Sequence, residues 1–398
     1  MRILVVQESD WLEKGPHQSH HLMERMSARG HEVRVVDFEI LWRNHEPKGL
    51  LSKRRVFNGV RKATENGSVT VIRPAIVLLP VLDYLSLVCT HWREVKRQID
   101  EYKPDVIVGF GILNAMIALR LSKKRGIPFC YYVIDELHRL VPQKLFRGIA
   151  RTVERLNMEN STLIVSINEG LRDYTIGMGA ERSRTVVIGA GVDLSKYTPS
   201  NNRLAVRNRY GIGDRDVVLF FMGWLYEFSG ILEVSLDLTA NRSHYPNFRL
   251  LVMGKGELSE RLRQLSNRNH SQQEIILADW QPYDHIPGYL AASDICLLPA
   301  LDNPIMENIV PIKMYEYMAA GKPTIATSLP GIVREFGEGN GVYYVISPHD
   351  VLRKARELID NNEVVDAGKK ARKFVEKFDW SRMTETFESV LISAIHAR

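Results

Sequence analysis

Cysteine is scarce in this chain of 398 residues, and it is widely spaced. The three cysteines, Cys89, Cys130 and Cys296, are too far apart for a CxxC metal clip or a disulfide framework. A reducing compartment is therefore expected. Glycine and proline are not enriched, with 27 and 17 residues, and 45% of the chain is apolar. These proportions exclude collagenous, coiled-coil and wholly disordered chains, and they predict a globular protein of two or three domains.

Long apolar runs are also missing. The longest, residues 75–89, is interrupted by Pro80 and Asp83 and is shorter than the ~20 residues that a membrane-spanning helix needs. The first apolar run, residues 3–6, is too short for a signal peptide. The formal net charge of +6 favours anionic partners such as nucleotides, acidic lipids or nucleic acid. We therefore expect a cytoplasmic protein, either free or peripheral on the cytosolic face of a membrane.

The first half of the chain alternates short apolar runs with helical periodicity. Helices are predicted over residues 18–29 and 114–124, and a glycine closes each of them. The runs are apolar throughout, as in parallel strands that are covered on both faces. These predicted strands are residues 3–6, 33–36, 69–73, 105–109, 129–134, 163–166 and 185–188. Residues 1–197 are therefore predicted to form a Rossmann-like, doubly wound α/β domain.

The same pattern restarts after a polar, turn-rich linker at residues 197–202. Predicted strands at residues 217–222, 249–253, 275–277, 294–298 and 324–326 alternate with helices, notably residues 311–320 and 350–360. This pattern predicts a second Rossmann-like domain over residues 203–380, followed by a helix at residues 381–398. Two facing domains of this kind would place the carboxyl ends of both sheets at one cleft, where ligands of such sheets bind.

One segment of the second domain contains a carboxylate at an informative place. Glu316 lies on the predicted helix that begins near Pro311 and stops at Gly321. Free amides at the start of that helix could receive a phosphate, and the carboxylate could bind the vicinal hydroxyls of a ribose. The alternative is a surface glutamate on an amphipathic helix. Lys313 could contact the phosphate or form a solvated ion pair with Glu316, which would contribute little.

Residues 316–323, Glu-Tyr-Met-Ala-Ala-Gly-Lys-Pro, resemble part of a family signature. They are similar to the second half of the pattern of retaining glycosyltransferases of the GT-B fold, family 4 (glycosyl transferases group 1). That pattern has two glutamates eight residues apart, and the second begins the matching stretch. Other family features follow in order along the chain: Gly15, residues 30–33, residues 191–193, Gly223, residues 254–256, residues 292–294, Gly331 with Glu335, and residues 378–381.

The resemblance implies roles for several of these positions. Glu316 would bind the ribose or nucleotide of a sugar-nucleotide donor, and Gly331 would approach its sugar and phosphate. Gly15 and Pro16 would bring backbone close to the donor phosphate or the acceptor. The final helix would cross back onto the first domain. Enzymes of this fold generally need no bound metal, so no cofactor is expected beyond the sugar-nucleotide co-substrate.

Two positions depart from the family pattern. The first glutamate of the signature falls at Asn308, with Glu307 one residue earlier, so the usual contact to the transferred sugar is altered. The arginine and lysine that commonly follow the strand ending at Gly223 are also missing. A departing diphosphate needs cations or oriented amides. Lys313, Lys255 or helix N-termini are expected to supply them; the alternative is an unusual donor.

The acceptor side is predicted in the first domain. Where the family often has a His–Asp pair, this chain keeps only the aspartate, Asp135. Asp135 and His138 would shape the acceptor site or handle its proton; alternatively, they cap the following helix. Three histidines crowd the first loop and helix: His17, His20 and His21. Their spacing does not indicate a metal site, and His20 is predicted to lie on the acceptor side.

Basic residues gather in the first domain. They are residues 53–55, 61–62, 91–97, Lys144, Arg147, Arg151 and Arg155. Beside the apolar run at 75–89, they could contact an anionic membrane surface, or they could be ordinary solvated faces. Nucleic-acid binding is not expected, because no aromatic-studded basic sheet or recognised helix motif accompanies the charge.

The sequence thus predicts a retaining glycosyltransferase that moves a sugar from an activated, nucleotide-diphosphate donor to a hydroxyl of a glycan or lipid-linked acceptor. Two alternatives remain open: a nucleotide-sugar epimerase of the same architecture, and a non-catalytic sugar-nucleotide-binding partner subunit. The predicted catalytic residues are Asp135, His138 and Glu307. The predicted donor-binding residues are Glu316, Lys313, Asn308, Pro311, Gly223, Gly254 and Gly331, and the predicted acceptor-side residues are Gly15, Pro16 and His20.

Overall fold

The computed structural model describes residues 1–14, 16–44, 49–141, 143–197, 202–267, 274–303, 306 and 310–397. The chain divides into two compact units. The first unit is Met1–Ala190 together with the residues from Trp380 onward, and the second is Gly191–Asp379. Each unit is an α/β structure built on one sheet, so the predicted fold class is confirmed. Most of the predicted linker falls outside the described residues.

The first unit is built on a sheet of eight described strands. They are β1 Arg2–Gln7, β2 Glu32–Val36, β3 Arg55–Val60, β4 Val69–Arg73, β5 Val106–Phe110, β6 Phe129–Val133, β7 Leu163–Ser166 and β8 Thr185–Val187. Their spatial order is β3-β4-β2-β1-β5-β6-β7-β8, and only the edge strand β3 pairs antiparallel. The helices between them are α1 Gln18–Ala28, α2 Leu82–Tyr102, α3 Leu113–Arg125, α4 Arg147–Asn160 and α5 Glu169–Gly177.

The apolar runs form strands because both faces of this sheet are covered. In β1, Leu4 and Val6 point into one hydrophobic core, whereas Ile3 and Val5 point into a second core on the opposite face. All four side chains are fully buried. A continuous apolar run is what a strand needs when its alternating side chains enter two cores.

The second unit has a sheet of six described strands, all parallel. They are β9 Val217–Trp224, β10 Phe248–Lys255, β11 Ile275–Leu277, β12 Ile295–Leu298, β13 Thr324–Thr327 and β14 Val342–Val345, in the order β11-β10-β9-β12-β13-β14. The helices are α6 Asn202–Arg209, α7 Ile231–Ala240, α8 Ser259–Asn267, α9 Ile286–Ala292, α10 Ile312–Ala319, α11 Pro330–Phe336, α12 Val351–Asp360 and α13 Val364–Val375. Parallel strands place all their carboxyl ends at one edge, where loops collect.

The last helix, α14 Trp380–His396, belongs to the first unit. It packs against α1, and its Trp380, Phe387 and Leu391 are buried in the core that includes Leu22. The imidazole of His21 stacks on the Trp380 ring with centroids 4.5 Å apart. Among the described residues, no helix combines the length and apolar character needed to cross a bilayer.

Candidate functional site

Two glycines shape the carboxyl edge of the second-unit sheet. Gly223 in β9 and Gly254 in β10 are register partners, with φ of +135° and +154°. A Cβ on Gly254 would lie 1.9 Å from the carbonyl oxygen of Gly223, which no side chain can accommodate. The two strand ends therefore approach each other closely, with Gly254 buried and Gly223 half-buried.

A lysine ammonium occupies the space beside Gly223. The Nζ of Lys313 donates a 2.9 Å hydrogen bond to the carbonyl oxygen of Met222 and lies 4.3 Å from the ring centroid of Phe221. A Cβ on Gly223 would lie 2.9 Å from this Nζ, so glycine leaves the room that the ammonium needs. Burial lowers the pKa of Lys313 to about 8, although nearby Glu316 opposes the shift. The bonded partner of Lys313 is a carbonyl at the strand end, not Glu316.

Glu316 is buried, with 6% of its surface exposed, so it is not a solvated residue of an amphipathic helix. Tyr197 donates its hydroxyl to Oε1 of Glu316 at 3.0 Å, and Tyr283 also hydrogen-bonds the carboxylate. Burial raises the pKa of Glu316, while the two tyrosines and Lys313 lower it. A carboxylate has about four lone-pair positions. Two phenols therefore leave acceptor capacity for a further ligand.

The backbone around Tyr197 is fixed to the end of α10 by one arginine. Arg372 donates to the carbonyl oxygens of Leu194 at 3.1 Å, of Tyr197 at 3.2 Å, and of Ala319. This bonding holds the tyrosine hydroxyl in place above Glu316. The sequence analysis missed Tyr197 and Tyr283 as partners of this carboxylate, because residues more than 30 positions apart in the sequence leave no periodic signal.

An aromatic cluster lies at the same sheet edge. We use this name for Trp224, Tyr226, Phe228 and Trp280. The two indoles are 6.1 Å apart between centroids and are 49% and 57% exposed. The Nζ of Lys255, at the end of β10, lies 5.4 Å from the ring of Trp224 and 5.1 Å from that of Trp280. Large exposed aromatic surfaces of this kind commonly mark a binding surface.

Of the remaining predicted donor-side residues, the structure describes Pro311 and Gly331. Pro311 is the N-cap residue that precedes α10, so it lies just before the first turn of the helix instead of within it. Gly331 follows Pro330 at the start of α11, and Glu335 of that helix accepts a 2.7 Å hydrogen bond from the Tyr315 hydroxyl. Glu307 and Asn308, together with the acceptor-side Gly15, lie outside the described residues.

In the first unit, His20 is buried beneath the loop that follows β1. Its ring packs on Trp11 with centroids 4.0 Å apart, and its Nε2 donates to the carbonyl oxygen of Trp11 at 3.0 Å. Its Nδ1 accepts from the backbone N–H of His17 at 3.1 Å. Burial lowers the pKa of His20 to about 3, so the ring is neutral. The prediction that His20 faces the acceptor is corrected: it shapes the loop that holds Pro16 and offers no free ring nitrogen.

A buried ion network holds the same loop from the other side. Arg73, only 3% exposed, contacts Asp10 and Asp37 at 2.5 Å each. Asp37 also accepts from the backbone N–H of Trp11 at 3.1 Å. Glu8 accepts from the backbone amides at the start of α3, at 2.8 Å from Asn114 N. The loop is therefore fixed by ionic contacts to the ends of β2 and β4.

Asp135 and His138 follow β6 at the carboxyl edge of the first sheet. Asp135 is half-buried, burial raises its pKa, and its Oδ1 accepts from the backbone N–H of Glu136 at 2.8 Å. His138 contacts a buried glutamate of α4, with Nδ1 2.8 Å from Oε2 of Glu154. The sequence analysis noted α4 for its arginines and missed this glutamate.

The exposed face of α4 combines apolar and basic side chains. Leu145, just before the helix, is 86% exposed, and Ile149 is 64% exposed. Arg151 and Arg155 are exposed on the same helix. We call this set the α4 surface.

Comparison with known proteins defines the class. The model of the Glycosyl transferase 4-like domain matches residues 16–191, and that of Glycosyl transferases group 1 matches residues 216–361. Both are glycosyltransferase domains, and together they cover the two units. The chain belongs to the family 4 glycosyltransferases (group 1), which have the GT-B fold. The resemblance found in residues 316–323 is thereby confirmed.

Individual relatives are distant. D-inositol 3-phosphate glycosyltransferase of Corynebacterium glutamicum (strain R) is 25% identical over 257 residues, covering 62% of this chain and 60% of the relative. A GDP-mannose-dependent phosphatidylinositol monomannoside mannosyltransferase of Mycolicibacterium smegmatis is 22% identical over 240 residues, covering 60% of each chain. The chain thus spans about half to 60% of the length of the curated relatives it matches. The crystal structure of Anabaena HepE in complex with UDP has a TM-score of 0.74 at 16% identity, with 99% of this chain and all of that chain covered, which shows the shared fold.

Proposed function

We propose that this protein is a retaining glycosyltransferase that moves a hexosyl group from a nucleotide-diphosphate sugar to a hydroxyl of a glycan or lipid-linked acceptor. One observation carries the proposal beyond family membership. The Lys313 ammonium occupies the place beside Gly223 where a side chain of β9 would otherwise lie. It puts a cation at the carboxyl end of a central parallel strand, although the family's usual arginine and lysine are absent.

The chemistry of the reaction requires a cation or oriented amides beside the diphosphate, and Lys313 can supply the cation. The bond between the sugar and the diphosphate breaks with its electron pair on the diphosphate, so negative charge grows there in the transition state. Lys313 is part-buried, and Met222 and Phe221 already orient its ammonium group. Little reorganisation is therefore needed when negative charge develops on the diphosphate. Lys255, at the neighbouring strand end, supplies a second positive charge.

The aromatic cluster suits the base of the donor. Stacking of a base on an exposed aromatic side chain contributes about 1–3 kcal/mol and requires no charge. Trp224 and Trp280 present two such faces beside Lys255. In this proposal, stacking contributes part of the affinity that arginine and lysine provide in other members of the family.

Glu316 is assigned to the ribose. Tyr197 and Tyr283 fix the orientation of its carboxylate, and the remaining lone pairs accept the vicinal hydroxyls. The relatives are consistent with this class of donor, since one is a GDP-mannose-dependent mannosyltransferase.

The α4 surface is assigned to an anionic membrane that presents a lipid-linked acceptor. Leu145 and Ile149 would enter the interface while Arg151 contacts acidic headgroups. Leu145→Glu should abolish sedimentation with phosphatidylglycerol vesicles but not alter the small binding to phosphatidylcholine vesicles. Leu204→Glu, at a 62% exposed leucine of the second unit, is the matched control. Equal sedimentation of all three proteins would refute the assignment.

Product analysis tests the reaction itself. The protein is incubated with a panel of nucleoside-diphosphate sugars, with and without glycan and polyisoprenyl or inositol lipid acceptors, and the products are separated by mass and by anomeric NMR signals. A new glycoside that keeps the anomeric configuration of the donor is expected. A free epimer would instead identify an epimerase, and nucleotide binding by calorimetry with no product would identify a partner subunit.

A further inference from the structure

A histidine, a carboxylate and a phenol form a hydrogen-bonded group in the first unit. His138 follows β6, Glu154 lies on α4 and Tyr174 lies on α5. Oε2 of Glu154 lies 2.8 Å from Nδ1 of His138 and accepts the Tyr174 hydroxyl at 3.0 Å. The backbone N–H of His138 donates to the same oxygen at 3.3 Å. Three elements of the unit thus converge on one carboxylate oxygen.

Glu154 is fully buried, and burial of a carboxylate is costly unless it is bonded. Oε2 takes all of the described bonds, whereas Oε1 has no hydrogen-bond partner among the described residues. Burial raises the pKa of Glu154, and its bonds to His138 and Tyr174 oppose the shift. An ionised carboxylate is an acceptor only. Oε2 of Glu154 therefore accepts from Nδ1–H of His138, and this tautomer leaves the lone pair on Nε2.

The outward nitrogen of His138 is unoccupied. Nε2 has no hydrogen-bond partner among the described residues. It is also not one of their buried polar atoms that lack a partner. The side chain is 12% exposed. Compare His20, whose two ring nitrogens are both bonded inside the unit. Of these two histidines, only His138 presents a fixed lone pair outward.

We infer that Nε2 of His138 accepts a hydrogen bond from a hydroxyl of the sugar or polyol acceptor, and that Glu154 and Tyr174 are positioning residues that fix the ring and its tautomer for this contact. The inference rests on the proposed function and deepens it, because it names the acceptor chemistry that the first unit recognises. No proton needs to leave the hydroxyl for this contact.

Substitution of Glu154 by glutamine tests the positioning role. The amide can donate to Nδ1, which would move the ring proton to Nε2 and turn the acceptor atom into a donor. The KM for the acceptor should then rise about tenfold to a hundredfold, while the KM for the nucleotide sugar stays unchanged. Glu154→Asp should recover part of the loss. Unchanged acceptor KM in Glu154→Gln would overturn the inference.

Two further variants keep the test decisive if Glu154→Gln fails to fold. Tyr174→Phe removes one bond to the carboxylate and should raise the acceptor KM by a smaller factor than His138→Asn does. His349→Asn is the matched control, because His349 contacts Asp237 at 2.7 Å in an exposed His–carboxylate pair of the second unit. An acceptor KM that responds equally to His138→Asn and His349→Asn would contradict the assignment.

A chemical readout separates this inference from the proposed function. Diethyl pyrocarbonate modifies an imidazole nitrogen that has a free lone pair, and peptide mass mapping gives the rate at each histidine. His138 should react faster than His20, and glycan or polyol acceptors should slow its reaction. Equal rates at His138 and His20 would refute the inference even in a protein that transfers sugar. A fast, acceptor-protected His138 would support it even if no tested nucleotide sugar is a donor.

Discussion

The two units build the carboxyl edges of their sheets in opposite ways. In the first unit, the loop after β1 is fixed by buried groups: an arginine between two aspartates and a neutral histidine with both nitrogens bonded. In the second unit, two glycines, a lysine ammonium and exposed indoles form the edge. The first arrangement secures a loop, and the second leaves charge and aromatic surface available to a ligand. Polar groups at a sheet edge therefore need not be ligand contacts.

The largest effect is expected from removal of the buried cation in the first unit. Arg73→Met leaves Asp10 and Asp37 buried without their partner, and breaking a buried ion pair in this way costs about 3–5 kcal/mol. Native-state hydrogen exchange at the amides of β1 and β2 should report that loss. Arg263→Met, which removes exposed pairs with Glu260 and Asp279, should change exchange by less than about 1 kcal/mol. Comparable effects would show that the network does not stabilise the loop.

In the second unit, the corresponding test is a substitution that creates a steric clash at the carboxyl edge of the sheet. Gly254→Ala should lower the free energy of unfolding by about 2–3 kcal/mol, because the new Cβ meets the carbonyl of Gly223 in a backbone conformation that strains alanine. Gly339→Ala is the control, since Gly339 also has positive φ but nothing within 4 Å of the added carbon. Native-state hydrogen exchange at the amides of β9 and β10 compares the two variants. A loss no larger than that of the control would mean that the strand ends can separate.

The next largest effect is expected from acid, which should lower the stability of the first unit through its buried histidine. The pKa of His20 is about 3 in the folded state and about 6.5 when unfolded, so the unfolded chain binds more protons below pH 6.5. Stability is therefore lost as pH falls from 6.5 towards 3, by about 2 kcal/mol at pH 5. Hydrogen exchange in α1 should show this slope, and His20→Gln should remove the part due to His20. His17, the N-cap of α1, has a pKa that burial lowers to about 4, and its part of the slope should remain. His349→Gln, at an exposed histidine, should leave the slope unchanged.

The sheets could be predicted from the sequence because strands that are buried on both faces have continuous apolar sequences, as in residues 3–6. The edge strand β3 Arg55–Val60 was missed for the converse reason. It is mostly exposed and includes Gly59, so its sequence resembles a loop. The first turns of α2 were hidden in the same way, because Leu82 and Leu85 are exposed apolar residues that blur the helical pattern.

The candidate site could be predicted only for residues that lie in one continuous segment of the chain, in or next to the family signature. Glu316 begins the matched signature, and Lys313, three residues earlier on the same helix, reaches the sheet edge. Their partners come from elsewhere: Met222 is 91 residues from Lys313, and Tyr197 is 119 residues from Glu316. Such contacts depend on the tertiary fold of the chain and leave no pattern in the local sequence. Glu154 was hidden among the arginines of α4 for the same reason.

The smallest effect concerns affinity at the second-unit edge. Because burial lowers the pKa of Lys313 to about 8, half of the free protein has a neutral lysine at that pH. A bound diphosphate favours the ammonium and raises its pKa, so binding takes up a proton. The diphosphate itself is already ionised, since its last pKa is about 6. UDP affinity measured by calorimetry should therefore fall as pH rises above 8, approaching tenfold per pH unit, or about 1.4 kcal/mol.

Lys313→Met should bind UDP more weakly and without this pH dependence. Lys322→Met is a matched control, because Lys322 is also a lysine whose pKa burial lowers and whose Nζ donates to a carbonyl, that of Ser293 at 2.6 Å. Ser293 precedes β12, so this ammonium lies at the amino edge of the same sheet, away from the strand ends where ligands bind. Lys322→Met should keep the wild-type pH dependence. If it loses the dependence while Lys313→Met keeps it, the cation that meets the diphosphate is not the one beside Gly223.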